Sequence, residues 1–341
     1  MTQTLDQAIE AKQIQHKRWQ EISTNKEVAT EIRSGATARC LMYEQEIAFL
    51  KEQDPALWGK VPEYLSRFLK AKDIELIHQG YATNVFRYCS FEGLSYIIKL
   101  SNLFDVDYAL QHQDIALERE IEIIDRIKCT SNFDYMKVYT YTISEEKLIR
   151  CIRTTLLSKE WISLLAGKQA IYELYYQILC LVSTLHAFDV IHRDIHPRNF
   201  VFDFQTSKPR LIDFGLAYYG HSSFPLTSFD LLRGTPGFMS PESVFGKAPL
   251  YTSDVFSLGC LLFWMLTGEN ILGPPHNYEY NALAMYSTAG CWDIVRRAAT
   301  DHKKLTFREW TFILKAIEYK PGMRFSSVND MIESFKEISN E

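Results

Sequence analysis

The ten residues from Ile191 to Phe200, IHRDIHPRNF, hold an acid, Asp194, and five positions later an amide, Asn199, in a polar stretch flanked by apolar runs. A second acid, Asp213, follows the apolar pair Leu211 and Ile212 and opens the triplet Asp213, Phe214, Gly215. Carboxylate and amide oxygens are hard donors that suit Mg²⁺, and a positioned carboxylate can accept a proton from a hydroxyl. Together these groups suit a site that holds a divalent cation against phosphates while orienting an attacking hydroxyl.

Such groups must be carried by something rigid. Ala170 to Val190 is predicted to be a buried helix, Phe200 to Phe202 a short strand, and Arg210 to Ile212 a second strand that delivers Asp213. Asp194, Asn199 and Asp213 then sit at the mouths of two adjacent hairpin-like strands.

The loop resembles the HRDxxxxN catalytic loop of eukaryotic-type (Hanks-type) Ser/Thr protein kinases, and Asp213 to Gly215 resembles their DFG triplet. The stretch RGTPGFMSPE, ending at Glu242, is similar to the close of the activation segment in that family. By this resemblance Asp194 orients the hydroxyl and takes its proton, Asn199 and Asp213 hold Mg²⁺, and Thr235 bonds into the catalytic loop and seats the acceptor. Glu242 would pair with Arg324, and Asp254 would brace the catalytic loop from a helix capped by Thr252 or Ser253. Ser or Thr is the expected acceptor.

The resemblance implies an α+β, two-lobed kinase fold: a small five-stranded antiparallel lobe with one helix, a larger mainly helical lobe, and an N-terminal helical extension. Residues 1–72 form that extension and 73–341 the kinase domain, divided into 73–155 and 156–341 with a hinge near Ile152 to Leu157. Strands are expected over Glu75 to Gly80, Val85 to Cys89, Leu94 to Leu100, Tyr135 to Ile143 and Lys147 to Thr155. Lys99 closes YIIK as the family's third-strand lysine does. In Ala116 to Lys128, Leu117, Ile121, Ile124 and Ile127 form an apolar helical face and Glu118, Glu122 and Asp125 a polar one. Glu120 falls on the apolar side, where a carboxylate is costly unless paired with a cation; the family pairs such a glutamate with the strand lysine, so Glu120 is assigned to Lys99.

Four positions depart from the family pattern. Gly80 matches the middle glycine of the nucleotide-covering loop, but His78 and Thr83 replace the other two, and Ile97 stands for the alanine beside adenine. Val85, Ile97 and Val201 would form the adenine surface. His196 replaces a lysine that steadies the γ-phosphate, so the charge there depends on a group with an ordinary pKa near 6.5. Arg193 would receive a phosphate placed on Ser222, Ser223, Thr227 or Ser228.

Composition narrows the setting. A net charge of −5 and a pI near 6.0 give no sign of a nucleic-acid surface. Seven cysteines without a CxxC pair suggest reduced thiols and a cytoplasmic location. The N-terminus lacks a secretory h-region, and the most apolar run, Val255 to Leu266, is shorter than the roughly 20 residues that span a bilayer. Two helices are expected around residues 4–22 and 25–53. After a break at Gly59 and Pro62, Tyr64, Leu65, Phe68 and Leu69 present an apolar face, expected to pack on the following domain, with another copy or a partner as alternatives. Closing helices are expected at 307–319 and 328–339. The leading reading is an ATP- and Mg²⁺-dependent Ser/Thr protein kinase acting on protein substrates, itself included. A weakly active pseudokinase scaffold and a small-molecule kinase of the same fold are the alternatives.

Overall fold

The structure, a computed structural model, describes residues 4–26, 30–52, 55, 61, 65–66, 69–79, 83–101, 115–144, 147–157, 160–224, 226, 233–235, 237–271 and 302–339. Gly59, Pro62, Tyr64, Phe68, Gly80, Thr227, Ser228 and most of the stretch 269–306 lie outside them. The chain divides into two compact units, Met1–Arg18 with Cys40–Leu157 and Ser222–Phe224, and Trp19–Arg39 with Ser158–His221 and Pro225–Glu341. The division after Leu157 is at the end of the expected hinge. The N-terminal helices form no unit of their own and are shared between the two.

In the first unit, strands β1 (Ala71–Gln79), β2 (Thr83–Ser90), β3 (Ser95–Ser101), β4 (Met136–Ser144) and β5 (Lys147–Thr155) form one antiparallel sheet in the order β1-β2-β3-β5-β4. Alternation sorts the side chains between two faces. Phe86, Tyr88, Ile98 and Leu100 point to one face and are buried with Leu76, Cys151 and two residues from ahead of β1, Leu65 and Leu69. Leu65 and Leu69, from the apolar face expected in the extension, thus pack on the following sheet. Burial pushes the Cys151 thiol up to about 12, so it behaves as a small apolar side chain. Val85, paired with Lys99, and Ile97, paired with Arg87, occupy the opposite face.

Helix α1 (Leu5–Thr24) runs antiparallel to α2 (Thr30–Glu52): within the first unit Leu5 packs near Leu50, and Lys12 and His16 meet Glu46 at 2.6 Å and Glu44 at 3.0 Å. Helix α3 (Ile115–Ile127) buries Leu117, Ile121, Ile124 and Ile127, the face its spacing predicts, and packs against β4 and β5.

The second unit is built on α4 (Lys168–His186), α5 (Pro241–Val244), α6 (Tyr251–Thr267), α7 (Phe307–Ala316) and α8 (Val328–Ser339). Helix α4 ends before the predicted Val190. Asp189 turns left-handed at φ 60°, and Val190–Ile191 become strand β6, paired with β9 (Tyr218–Tyr219). Helix α6 is buried nearly all round, and Gly259 lets α7 approach: a Cβ there would lie 2.7 Å from the Ala316 Cβ. Its first residue follows Leu250 with no side-chain cap, and the Ser253 hydroxyl donates instead to Glu242, 2.8 Å. The expected Thr252 or Ser253 cap is absent because the helix begins at Tyr251, which places both residues inside its first turn and Leu250 at the cap position. Among the described residues no helix is long and apolar enough to cross a membrane.

Arg324 holds Glu242 through two bonds, 2.7 and 2.8 Å, with both side chains buried. Burial pushes the Glu242 carboxyl up, but Arg324 outweighs it and holds the group below its ordinary value. The stability this adds is complete above the unfolded value near 4.3 and is lost as pH falls through the depressed folded value. Arg324→Ala leaves a buried, uncompensated carboxylate and is expected to cost about 3–5 kcal/mol. Urea denaturation at several pH values checks this, and the slope that Glu242 contributes should reverse sign in the variant, since burial then dominates.

Candidate active site

The two units carry separate groups of candidate residues. In the first, the β2–β3 register sets Val85 opposite Lys99. Lys99 Nζ lies 2.6 Å from Glu120 Oε2, with Glu120 almost fully buried on α3. A buried carboxylate with a matched ammonium is held in one rotamer, so the lysine is aimed as well as neutralised. Ile97 is half-buried on the same face as Lys99.

In the second unit, strands β7 (Phe200–Asp203) and β8 (Lys208–Leu211) pair Phe200 with Leu211. The ladder extends one step further, Ile212 N–H donating to the Asn199 carbonyl at 2.9 Å, which brings Asp213 next to Asn199. Asp213 is exposed, takes φ 68°, and accepts from Gly215 N–H at 3.3 Å. Asn199 gives its amide hydrogens to the Asp194 carbonyl and carboxylate, 2.9 and 3.1 Å. That leaves the amide Oδ1 as the atom able to face a cation. Asn199 Oδ1 and an exposed carboxylate beside it form a hard, sparse donor pair, which fits Mg²⁺, an ion that takes one or two protein ligands and fills the rest with water and phosphate. Among the described residues no group of three or more His, Cys, Asp or Glu is gathered as a denser metal site.

Asp194 is the most heavily bonded of these groups. Its Oδ1 accepts the Thr235 backbone N–H at 2.8 Å, and its Oδ2 accepts from Asn199 and lies 3.4 Å from His196 Nε2. Burial pushes its carboxyl up, but the hydrogen bond and charge of His196, with the Thr235 bond, outweigh that and hold it below the ordinary carboxylate value. The approach of His196 to Asp194 is not evident in the sequence. The other ring nitrogen, Nδ1, accepts Arg198 N–H at 3.3 Å as the cap of the short turn Pro197–Asn199. Both nitrogens therefore serve the catalytic-type loop, whereas the sequence pattern alone assigns the ring to a phosphate.

The loop is fixed from beneath. Asp254, fully buried near the start of α6, accepts His192 N–H and Arg193 N–H, each at 2.8 Å, and His186 Nε2 at 2.8 Å. Burial would raise its carboxyl, but His186 and then His192 overcome this and hold it below the ordinary value. Arg193 sits at φ 67°, a conformation that costs a non-glycine residue about 1–2 kcal/mol; the two bonds from Asp254 to successive amides hold the turn in place. Arg193 Nη1 donates to the Leu216 carbonyl at 2.9 Å. The His192 ring packs on Phe214 at 5.1 Å, and burial lowers its pKa against the pull of Asp254, Asp194 and Asp213. The buried Trp161 indole caps the loop's far side, donating to the Pro197 carbonyl at 3.2 Å. Val201 is buried in β7. His186 and Trp161 do not stand out in the sequence; the only signal there is that each is a polar-tipped ring in an apolar setting.

Residues 72–335 match the model of the protein kinase domain family. The chain is similar to the serine/threonine-protein kinase PknA of a Nostoc species, 29% identical over 179 residues, covering 50% of this chain and 28% of that one. It is similar to the serine/threonine-protein kinase ppk6 of Schizosaccharomyces pombe, 27% identical over 248 residues, 69% of this chain and 30% of that one. With the serine/threonine-protein kinase PknB of Mycobacterium tuberculosis it shares 30% identity over 156 residues, 46% of this chain and 24% of that one. The matches thus span less than a third of each of these relatives.

Removing the Asp254 carboxylate strands three donors at once, two of them buried amides. Asp254→Ala is expected to destabilise the protein by about 3–5 kcal/mol, as when one partner of a buried charged network is deleted. Asp254→Asn keeps one carbonyl acceptor and should fall between wild type and Ala in urea denaturation.

Proposed function

This chain belongs to the protein kinase domain family, and we propose that it transfers the γ-phosphate of ATP to serine or threonine hydroxyls of protein substrates, its own included. The observation that carries this reading is the arrangement about Asp194: a carboxylate fixed by Asn199, His196 and the Thr235 amide, with Asp213 beside Asn199. Phosphoryl transfer asks a protein mainly for positioning and charge neutralisation. In this reading Lys99, held by Glu120, grips the α- and β-phosphates, and Val85, Ile97 and Val201 offer apolar surface to the adenine. Gly80 would contribute backbone to the phosphates. Asn199, through Oδ1, and Asp213 would hold Mg²⁺, which would supply positive charge to neutralise the phosphates. Asp194 orients the acceptor hydroxyl and takes its proton, and Thr235 helps seat it.

Two features support a protein acceptor in particular. The relatives are named serine/threonine-protein kinases, and the end of the segment is anchored where Glu242, in α5, is held by Arg324. A reducing compartment, the cytoplasm, suits the scattered cysteines; the six that are described are free thiols.

Purified protein incubated with Mg²⁺ and γ-labelled ATP is expected to acquire label on serine or threonine, and Asp213→Ala should acquire none. Absence of label in the wild type, with ATP still bound, would instead favour a pseudokinase or a small-molecule kinase of the same fold.

His196 supplies a second test. If its role is to hold Asp194, then His196→Gln, which keeps a donor toward Oδ2, should retain more activity than His196→Lys. His196→Ala should lose about 10- to 100-fold in kcat, the scale of a misplaced reacting group. A lysine variant at or above wild type would return the ring to the γ-phosphate role.

A further inference from the structure

Helix α7 turns one flank away from the core, and the reaction as proposed makes no use of it. The inward side holds Glu309, Phe312, Ile313 and Ala316, all buried, and packs on α6 and α8. At about 100° of rotation per residue, Phe307, Trp310 and Leu314 fall at i, i+3 and i+7 in a row along the other side. Trp310 and Leu314 are half-buried, whereas Phe307 is 71% exposed and meets Trp310 edge to face, ring centroids 5.0 Å apart. The start of the helix is locked. The Thr306 hydroxyl accepts Glu309 N–H at 3.3 Å and the Glu309 carboxylate accepts Thr306 N–H at 2.5 Å. Lys168 and the Tyr172 hydroxyl donate to that same carboxylate at 2.9 and 2.7 Å. Phe307, the first residue of this fixed turn, is thereby held out in water.

The head of the row is basic. Lys303 and Lys304 are exposed just ahead of the helix, and Arg308 is exposed one residue after Phe307. Two of the three are held in position by helix ends: Lys304 Nζ donates to the Thr267 carbonyl at 2.7 Å and Arg308 Nη1 to the Glu337 carbonyl at 3.4 Å. Most acids nearby already have a partner. Glu309 is buried against Lys168, Glu269 lies 3.6 Å from His302, and Glu333 is paired with Lys336 at 2.7 Å. At the far end of α7 Lys315 interacts with Asp330. Among the described residues of these elements, Glu337 is then the acid set against three cations.

We propose that this face of α7 adsorbs to an anionic phospholipid bilayer, with Phe307 entering the boundary between headgroups and acyl chains while Lys303, Lys304 and Arg308 meet lipid phosphates. Aromatic rings flanked by cations suit that boundary, which is apolar on one side and wet on the other. Each lysine or arginine near an anionic surface strengthens adsorption about fivefold. The net charge of −5 does not oppose this at physiological salt, where exposed charges more than about 8 Å apart are largely screened. A protein partner fits the face less well. A docked protein covers roughly 800 Å² per side around anchors seated in pockets, whereas Phe307 projects and its exposed neighbours Lys303, Lys304, Thr306, Arg308 and Thr311 are all polar. Another exposed phenylalanine, Phe91 at 64%, lacks this setting: its cation, Lys72, lies over the ring itself at 5.6 Å, and Glu92 follows it. Three cations and one ring give a reversible contact, independent of phosphoryl transfer, that sets the second unit against a surface without anchoring it.

Co-sedimentation of the full chain with vesicles of phosphatidylcholine, alone or mixed with phosphatidylserine, tests this at low and at physiological salt. Wild type should pellet with the anionic vesicles only, and less as salt rises. Phe307→Ser should weaken binding about tenfold and Lys303→Glu about fivefold or more, with thermal midpoints unchanged because both side chains are exposed. Phe91→Ser should bind as wild type does. Failure of the wild type to pellet, equal pelleting with both kinds of vesicle, or a loss in Phe91→Ser as large as that in Phe307→Ser would overturn the proposal. So would wild-type binding by Phe307→Ser, since adsorption would then be a matter of charge alone. Retention on immobilised polyglutamate without vesicle binding would give the face to an acidic protein partner. A dimer that Phe307→Ser dissolves, again without vesicle binding, would give it to a second copy of this chain; either result replaces the bilayer.

Discussion

One buried carboxylate underlies the geometry of the second unit. Asp254 carries its charge in an apolar helix with no access to water, and it is tolerable there because three donors converge on it. Those donors are the end of α4 and two successive amides of the loop that bears Asp194. Satisfying the charge and shaping the loop are one event: the same two bonds that solvate Asp254 hold Arg193 in its left-handed turn. From that turn the rest follows in order, through Asp194 fixed against Asn199, to Asn199 tied by its carbonyl to the strand that ends in Asp213.

The first unit uses the same economy, with an ammonium in place of the amides. Glu120 is buried on α3 with the Lys99 ammonium against it, and the same contact aims Lys99. Around Asp194, His196 fits this scheme better as a member of the loop's own bonding than as a substitute cation, since its hydrogen bond as well as its charge lowers that carboxyl. Function here depends less on the identity of a single residue than on each polar group having its partner already in place.

Much of this was legible in the sequence because the relevant order is local. Asp194 and Asn199 lie within one loop, alternating β-branched and aromatic residues mark the hairpin that presents Asp213, and helical spacing puts Glu120 on a buried face where a cation must meet it. The packing of Leu65 and Leu69 onto the sheet could be anticipated from their spacing. What the sequence did not reveal depends on distant or backbone partners. Arg119 answers to a carbonyl 105 residues away, which no periodicity encodes. The end of α4 is set by β6 joining β9, a pairing with a strand nearly thirty positions on, and the expected cap of α6 fails because the helix already starts at Tyr251, ahead of Thr252 and Ser253.

The family match begins at residue 72, yet the sheet it begins with is roofed by Leu65 and Leu69, which precede it. The unit that folds and the unit that is recognisable by descent therefore do not share an edge. Cutting this chain at the start of the family match would remove Leu65 and Leu69 from the cluster that holds Phe86, Ile98 and Leu100, so any fragment meant to keep this sheet's core closed must begin several residues upstream of the recognisable domain.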